Sequence, residues 1–191
     1  MLVRNGNKTE IKDRTVTFLL SDESKDRHNS VIKSDGWDLE NYRKNPIVAY
    51  QHQTEGTPFA DPNPDLIIGR GDVWQDDGKL FGSVTFEDAE NNPLAEKIFK
   101  KVEAGILSAV SVGFIPIESG NGKEERGEDP GVYYFHRQEL AEFSVVNVPS
   151  NPNAVKRFKE FIEKENLDIV QEKIHGPKIL TDARLFNLKK S

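Results

Sequence analysis

No cysteine occurs in the 191-residue chain. Disulfides and thiolate metal sites are therefore excluded, and the composition fits a reducing compartment. Histidine is scarce. The four that exist, His28, His52, His136 and His175, never stand in HExxH spacing, so no metal motif is present and a catalytic metal is not expected. Walker A and GxGxxG patterns are also missing. Gly69-Arg70-Gly71-Asp72 carries glycines, but it sits in a strand-like region and does not read as a phosphate loop. No apolar run approaches the roughly 20 residues of a membrane helix. The first ten residues are polar, with no apolar stretch of the signal-peptide kind. A soluble protein made in the cytosol, with no membrane partner, is the expectation. Basic excess is lacking too: 26 Lys and Arg face 32 Asp and Glu, for a net charge of −6. That balance argues against a nucleic-acid partner, which selects for a basic face.

Hydrophobic residues make up 36% of the chain and charged residues 30%, enough for one domain of ordinary size with much surface and loop. Strand-like segments dominate. Residues 15–20 (TVTFLL) read as a first strand, and 21–30 as a polar loop. A short helix fits 37–44, ended by Asn45 and Pro46. Residues 47–52 read as a strand with Val48, Tyr50 and His52 on one face, followed by a proline-containing loop over 53–65. Strand signals at 66–71 and 73–74 lead into a hairpin turn at Asp77-Gly78, and 79–86 return as its partner. The clearest helix begins with Asn92 as cap and Pro93 at the first position; Leu94, Ala95, Ile98, Phe99 and Val102 recur at helical spacing, and Gly105 ends it.

The helix hands over to residues 105–116 (GILSAVSVGFIP), which have strand composition. Alternation puts Ile106, Ser108, Val110, Val112 and Phe114 on one face and Leu107, Ala109, Ser111, Gly113 and Ile115 on the other. Ser111 thus has only Ala109 and Gly113 beside it on its own face. An open patch around one hydroxyl is what a nucleophilic serine requires, although a strand hydroxyl bonded to a neighbour would look the same. Residues 117–131 are rich in glycine and acid and read as a hairpin loop. Two last strands are expected at 132–136 and 139–148. Residues 154–165 follow as an amphipathic helix with Val155, Phe158, Phe161 and Ile162 on one side, and 167–191 as a peripheral tail. The expected division is a domain over 1–155 and a helix-plus-tail over 154–191. The fold class is mainly β with helices (α+β), as a barrel or compact mixed sheet.

A hydrolytic serine needs a base and a group that orients the base. His52 ends a strand just before a long loop. Glu142 lies in an apolar strand, LAEFSVV, and shares a face with Ser144. A carboxylate there is either at an exposed edge or paired with a partner. In the order His52, Ser111, Glu142, the three fit a triad.

Four ordered motifs carry a resemblance. They are Lys44-Asn45-Pro46-Ile47-Val48 leading into Tyr50-Gln51-His52; Leu66-Ile67-Ile68-Gly69-Arg70; Gly105-Ile106-Leu107 followed by Val110-Ser111-Val112-Gly113-Phe114; and the stretch from Glu142 to Ala154, EFSVVNVPSNPNA. Over about residues 17–154 the chain resembles the caudovirus prohead serine proteases, enzymes of tailed phages that trim capsid proteins during head maturation. Ser150 stands where that family usually has alanine, and residues 25–29 match its early turn only loosely. The resemblance implies a β-barrel flanked by helices, like that of the herpesvirus assembly proteases. It implies a serine endopeptidase with Ser111, His52 and Glu142 as catalytic residues and no cofactor. The implied substrates are the phage scaffold protein and the scaffold-like extension of the major capsid protein, inside the assembling prohead in the bacterial host cytoplasm. Association of the chain with itself is compatible with this reading. Two rivals are a non-catalytic capsid assembly factor of the same fold and a bacterial housekeeping protease. Substitution separates the two serines: Ser111→Ala should lower turnover on the order of 10⁶-fold, whereas Ser108→Ala should retain most of it, as measured by cleavage of the capsid protein.

Overall fold

The computed structural model describes residues 14–54 and 63–156. The chain divides into a unit spanning Met1–Lys156 and a second spanning Arg157–Ser191; the latter, with most of the expected C-terminal helix and tail, lies outside the described residues. Eight strands and two α-helices make up the described part: β1 (Thr15–Ser21), β2 (Ser30–Ile32), β3 (Trp37–Asp38), α1 (Glu40–Lys44), β4 (Ile47–Tyr50), β5 (Ile67–Asp76), β6 (Lys79–Phe86), α2 (Pro93–Glu103), β7 (Ala109–Asn121) and β8 (Tyr133–Val146). The fold is mainly β with few helices, as the sequence implies.

One sheet contains all eight strands. β1, β6, β5, β4 and β8 follow one another across it. β8 is its spine. Along one edge it takes β2, β3 and β4 in succession, all parallel, and along the other it takes β7, antiparallel over its whole length. The sheet curls, and its two outer strands are joined by a short strap. Leu19 N–H donates to the Val155 carbonyl at 3.2 Å, Val110 N–H to the Ala154 carbonyl at 3.0 Å, and Lys156 N–H to the Ser108 carbonyl at 2.7 Å. Residues 154–156 thus lie extended between β1 and β7, where the sequence reads as the start of a helix. Closing a sheet in this way removes open strand edges.

The inner face is apolar. Phe18, Leu20, Val48, Ile68, Val73, Leu80, Val84, Val110, Leu140, Phe143 and Val145 belong to one buried cluster, each side chain contributing roughly 1.5–3 kcal/mol. Helix α2 packs Ala95, Ile98, Phe99 and Val102 onto it, with the Phe99 ring 5.4 Å from that of Phe86. Its ends are as the sequence implies: the Asn92 side chain accepts from Ala95 N–H at 2.9 Å, and Gly105 has a φ of +72°.

Several boundaries differ from the sequence reading. β5 runs unbroken through Gly71 and Asp72. β8 is one strand rather than two, because Gln138 is fully buried there and donates to the Lys33 carbonyl at 3.0 Å. Polar residues in mid-strand therefore mark a docking point, not a break. β7 continues to Asn121, absorbing three irregularities in its pairing with β8, so the hairpin loop is shorter than expected. At its other end β7 begins only at Ala109. Ile106 is 69% exposed, and neither it nor Ser108 shares the inner face with Val110.

A polar pin holds the turn that precedes the strap. The Asp22 carboxylate accepts from Asn151 Nδ2 at 2.8 Å, Asn153 Nδ2 at 2.9 Å and Ser24 Oγ at 2.5 Å. Burial alone would raise its pKa, but the hydrogen bonds from Asn151, Ser24 and Asn153 outweigh burial and bring it below the ordinary 3.8. A carboxylate depressed in the folded state stabilises above its unfolded pKa, and that contribution fades as pH falls through the folded value. Asp22→Ala should therefore cost about 1–2 kcal/mol at pH 7 by urea denaturation, the half-exposed site limiting the effect. The gap from wild type should shrink at pH 3; an equal gap at both pH values would contradict the pin.

Candidate active site

Ser111 and Glu142 lie on the neighbouring strands β7 and β8, and His52 lies in the turn that follows β4. Register places Ser111 opposite Ser144, and Gly113 opposite Glu142, across the β7–β8 pair. Directly paired residues share a face, so Ser111, Gly113, Glu142 and Ser144 lie together. On the other edge of β8, Ala49 of β4 pairs with Ser144. The three central positions of this row, Ala49, Ser144 and Ser111, carry only small side chains, and all face away from the Phe143–Val145 core.

Continued as a strand, β4 would send His52 to the face of Val48 and Tyr50, as the sequence reading had it. The strand instead stops at Tyr50, and Gln51 and His52 both take left-handed conformations with φ of 59°. Two consecutive non-glycine residues there are uncommon and store strain. The turn carries His52 across to the Ala49 and Ser144 side. Gln51 N–H still donates to the Val145 carbonyl at 3.1 Å, so the turn stays fastened to β8.

At that point His52 Nδ1 lies 2.6 Å from Glu142 Oε1. The other carboxylate oxygen accepts from Ser144 Oγ at 2.6 Å, and Ser144 Oγ in turn accepts from the His52 backbone N–H at 3.1 Å. Glu142 is 7% exposed, whereas the His52 side chain is 41% exposed. A buried carboxylate thus has both oxygens occupied, and its histidine partner reaches solvent with Nε2 uncommitted to Glu142. The charge is felt beyond the pair: burial, and then Glu142 and Asp72, push the Tyr42 phenol well above its ordinary pKa.

Ser111 is 6% exposed. Among the described residues no hydrogen bond joins it to His52; register and face bring the two to the same side. It borders a cavity of about 240 Å³ lined at its apolar end by Leu20, Ile32, Val112, Phe114 and Phe135 and at its rim by Asp22 and Asn151. Neither His52 nor Glu142 lines that cavity.

Residues 67–168 match the family model of the caudovirus prohead serine proteases, just over half of the chain. The chain belongs to that family. The matched segment of this prohead protease family member contains Ser111, Gly113, Glu142 and Ser144; His52 lies outside it, on the N-terminal side. Searches of curated proteins and of solved structures give no match. What sequence reasoning missed in this family member is the part played by Gly113 and Ser144. For Gly113 the signal was present in its position opposite Glu142, but it needs the strand register to be read. A Cβ on Gly113 would lie 2.2 Å from Glu142 Oε1 and 3.1 Å from its Cγ. Gly113→Ala should therefore push the carboxylate off His52 and cost about 1–3 kcal/mol, the usual penalty for overpacking. A melting temperature equal to wild type, with the His52–Glu142 contact intact in a crystal structure of the variant, would contradict this account.

Proposed function

We propose that the chain is a serine endopeptidase in which Ser111 is the nucleophile, His52 the general base and acid, and Glu142 the group that orients His52. The observation that carries the reading is the His52 Nδ1–Glu142 Oε1 contact on the face that Ser111 shares. With Nδ1 held by the carboxylate, the proton sits on Nδ1 and Nε2 is left as the base. Ser111 Oγ attacks the scissile carbonyl carbon and passes its proton to Nε2. The tetrahedral oxyanion collapses, the C–N bond breaks, and His52 returns the proton to the leaving amine. Water, activated by the same nitrogen, then hydrolyses the serine ester. Glu142, buried and hydrogen-bonded through both oxygens, holds the imidazole ring in place through each step.

Membership of the prohead serine proteases points to the scaffold protein and the scaffold-like extension of the capsid protein as substrates, and to the assembling prohead as the place of action. The absence of a Ser111–His52 hydrogen bond fits a resting enzyme, since such bonds are often loose until substrate is bound. Co-expression with the major capsid protein from the same genome tests the proposal. Intact mass should show a shortened capsid protein with the wild-type chain and the full-length one with Ser111→Ala or His52→Ala. Equal trimming with all three, or none with the wild type, would favour a non-catalytic assembly role.

A further inference from the structure

We propose that Ser144 is a positioning residue of this site, whose one hydroxyl fixes the Glu142 carboxylate and the His52 main chain at the same time. The inference rests on the triad reading above and deepens it.

Ser144 is fully buried, so it is not itself a nucleophile open to a peptide. Its hydroxyl has one hydrogen to give and lone pairs to accept with. The hydrogen goes to Glu142 Oε2 at 2.6 Å, and a lone pair takes the His52 N–H at 3.1 Å. Glu142 Oε1 then meets His52 Nδ1 at 2.6 Å. The three residues thus close a ring of contacts that begins at the backbone nitrogen of His52 and ends at its imidazole. Such a ring fixes the imidazole relative to its own main chain, in a stretch where Gln51 and His52 both hold left-handed φ values. An ordinary strand hydroxyl would do neither. Ser144 also sits between Ala49 and Ser111 in the sheet, so it spans the histidine strand and the serine strand. Small displacements of a base from its nucleophile are costly, on the order of 10²-fold for about 1 Å. Loss of the hydroxyl frees Glu142 to turn and His52 to leave its turn, without touching substrate.

The test uses the full chain and an alkyl fluorophosphonate. Ser111 Oγ bonds to phosphorus, the P–F bond breaks, fluoride leaves and the serine proton passes to His52. The maximal labelling rate and the half-saturating concentration are measured separately, with melting temperature as a check on folding. Ser144→Ala should lower the maximal rate about 10- to 100-fold and leave half-saturation within about twofold. Ser144→Thr keeps the hydroxyl and Ser144→Val replaces it with a methyl at equal shape, so Thr should stay close to wild type and Val should fall with Ala. Glu142→Gln combined with Ser144→Ala should lose less than the product of the two single losses, because part of the effect of Ser144 passes through Glu142. If Val labels as fast as Thr, or if the two losses multiply, the positioning role is wrong while the triad stands. If wild-type labelling falls on a residue other than Ser111, or is absent, the triad and the positioning role fall together. Should Ser144→Ala not fold, the Thr and Val pair decides.

Discussion

Everything at the site depends on one buried carboxylate. A carboxylate removed from water costs several kcal/mol unless its oxygens are matched. Glu142 is matched twice, by His52 Nδ1 and by Ser144 Oγ. The match is possible because the residue across the sheet is Gly113, which leaves the volume that the carboxylate fills. Removing either partner leaves a carboxylate oxygen unmatched inside the sheet, whereas removing the carboxylate leaves two donors without an acceptor. The pair therefore constrains the fold locally.

The topology serves that pair. β8 carries Glu142 and Ser144 at its centre and receives β4 on one edge and β7 on the other. Residues 52 and 111, far apart in the chain, thus arrive one strand away from the same carboxylate. The inner face of the same three strands is Val48, Phe143, Val145 and Val110, all buried, and this anchors the register that the outer face relies on. A slip of one residue would turn Glu142 into the apolar core. The strap at 154–156 fastens β1 to β7 next to Ser111, so the serine strand is held on both edges at its start.

Much of this was legible in the residues. Alternation around Ser111 placed Gly113 and Ala109 beside it, and the pairing of Glu142 with Ser144 on one face followed from period two. The Asn92-Pro93 start and Gly105 end of α2 were read from capping chemistry alone. What failed were features that no local pattern records. The left-handed turn at Gln51-His52 reverses the face of His52, and neither residue is the glycine that would announce such a turn. Gln138 looked like a break because its partner, the Lys33 carbonyl, is remote in sequence. Residues 154–156 have helix-like spacing but are drawn into the gap between β1 and β7, a tertiary demand that outranks local propensity. The fold class came through because strand content survives such errors of boundary.

The most direct measurement of the central claim is a crystal structure of the phosphonylated protein. A covalent bond from Ser111 Oγ to phosphorus is expected, with His52 Nε2 within hydrogen-bond reach of that oxygen and Nδ1 still on Glu142. An adduct on any other residue, or one on Ser111 with His52 turned away or on the opposite side of the sheet, would contradict it.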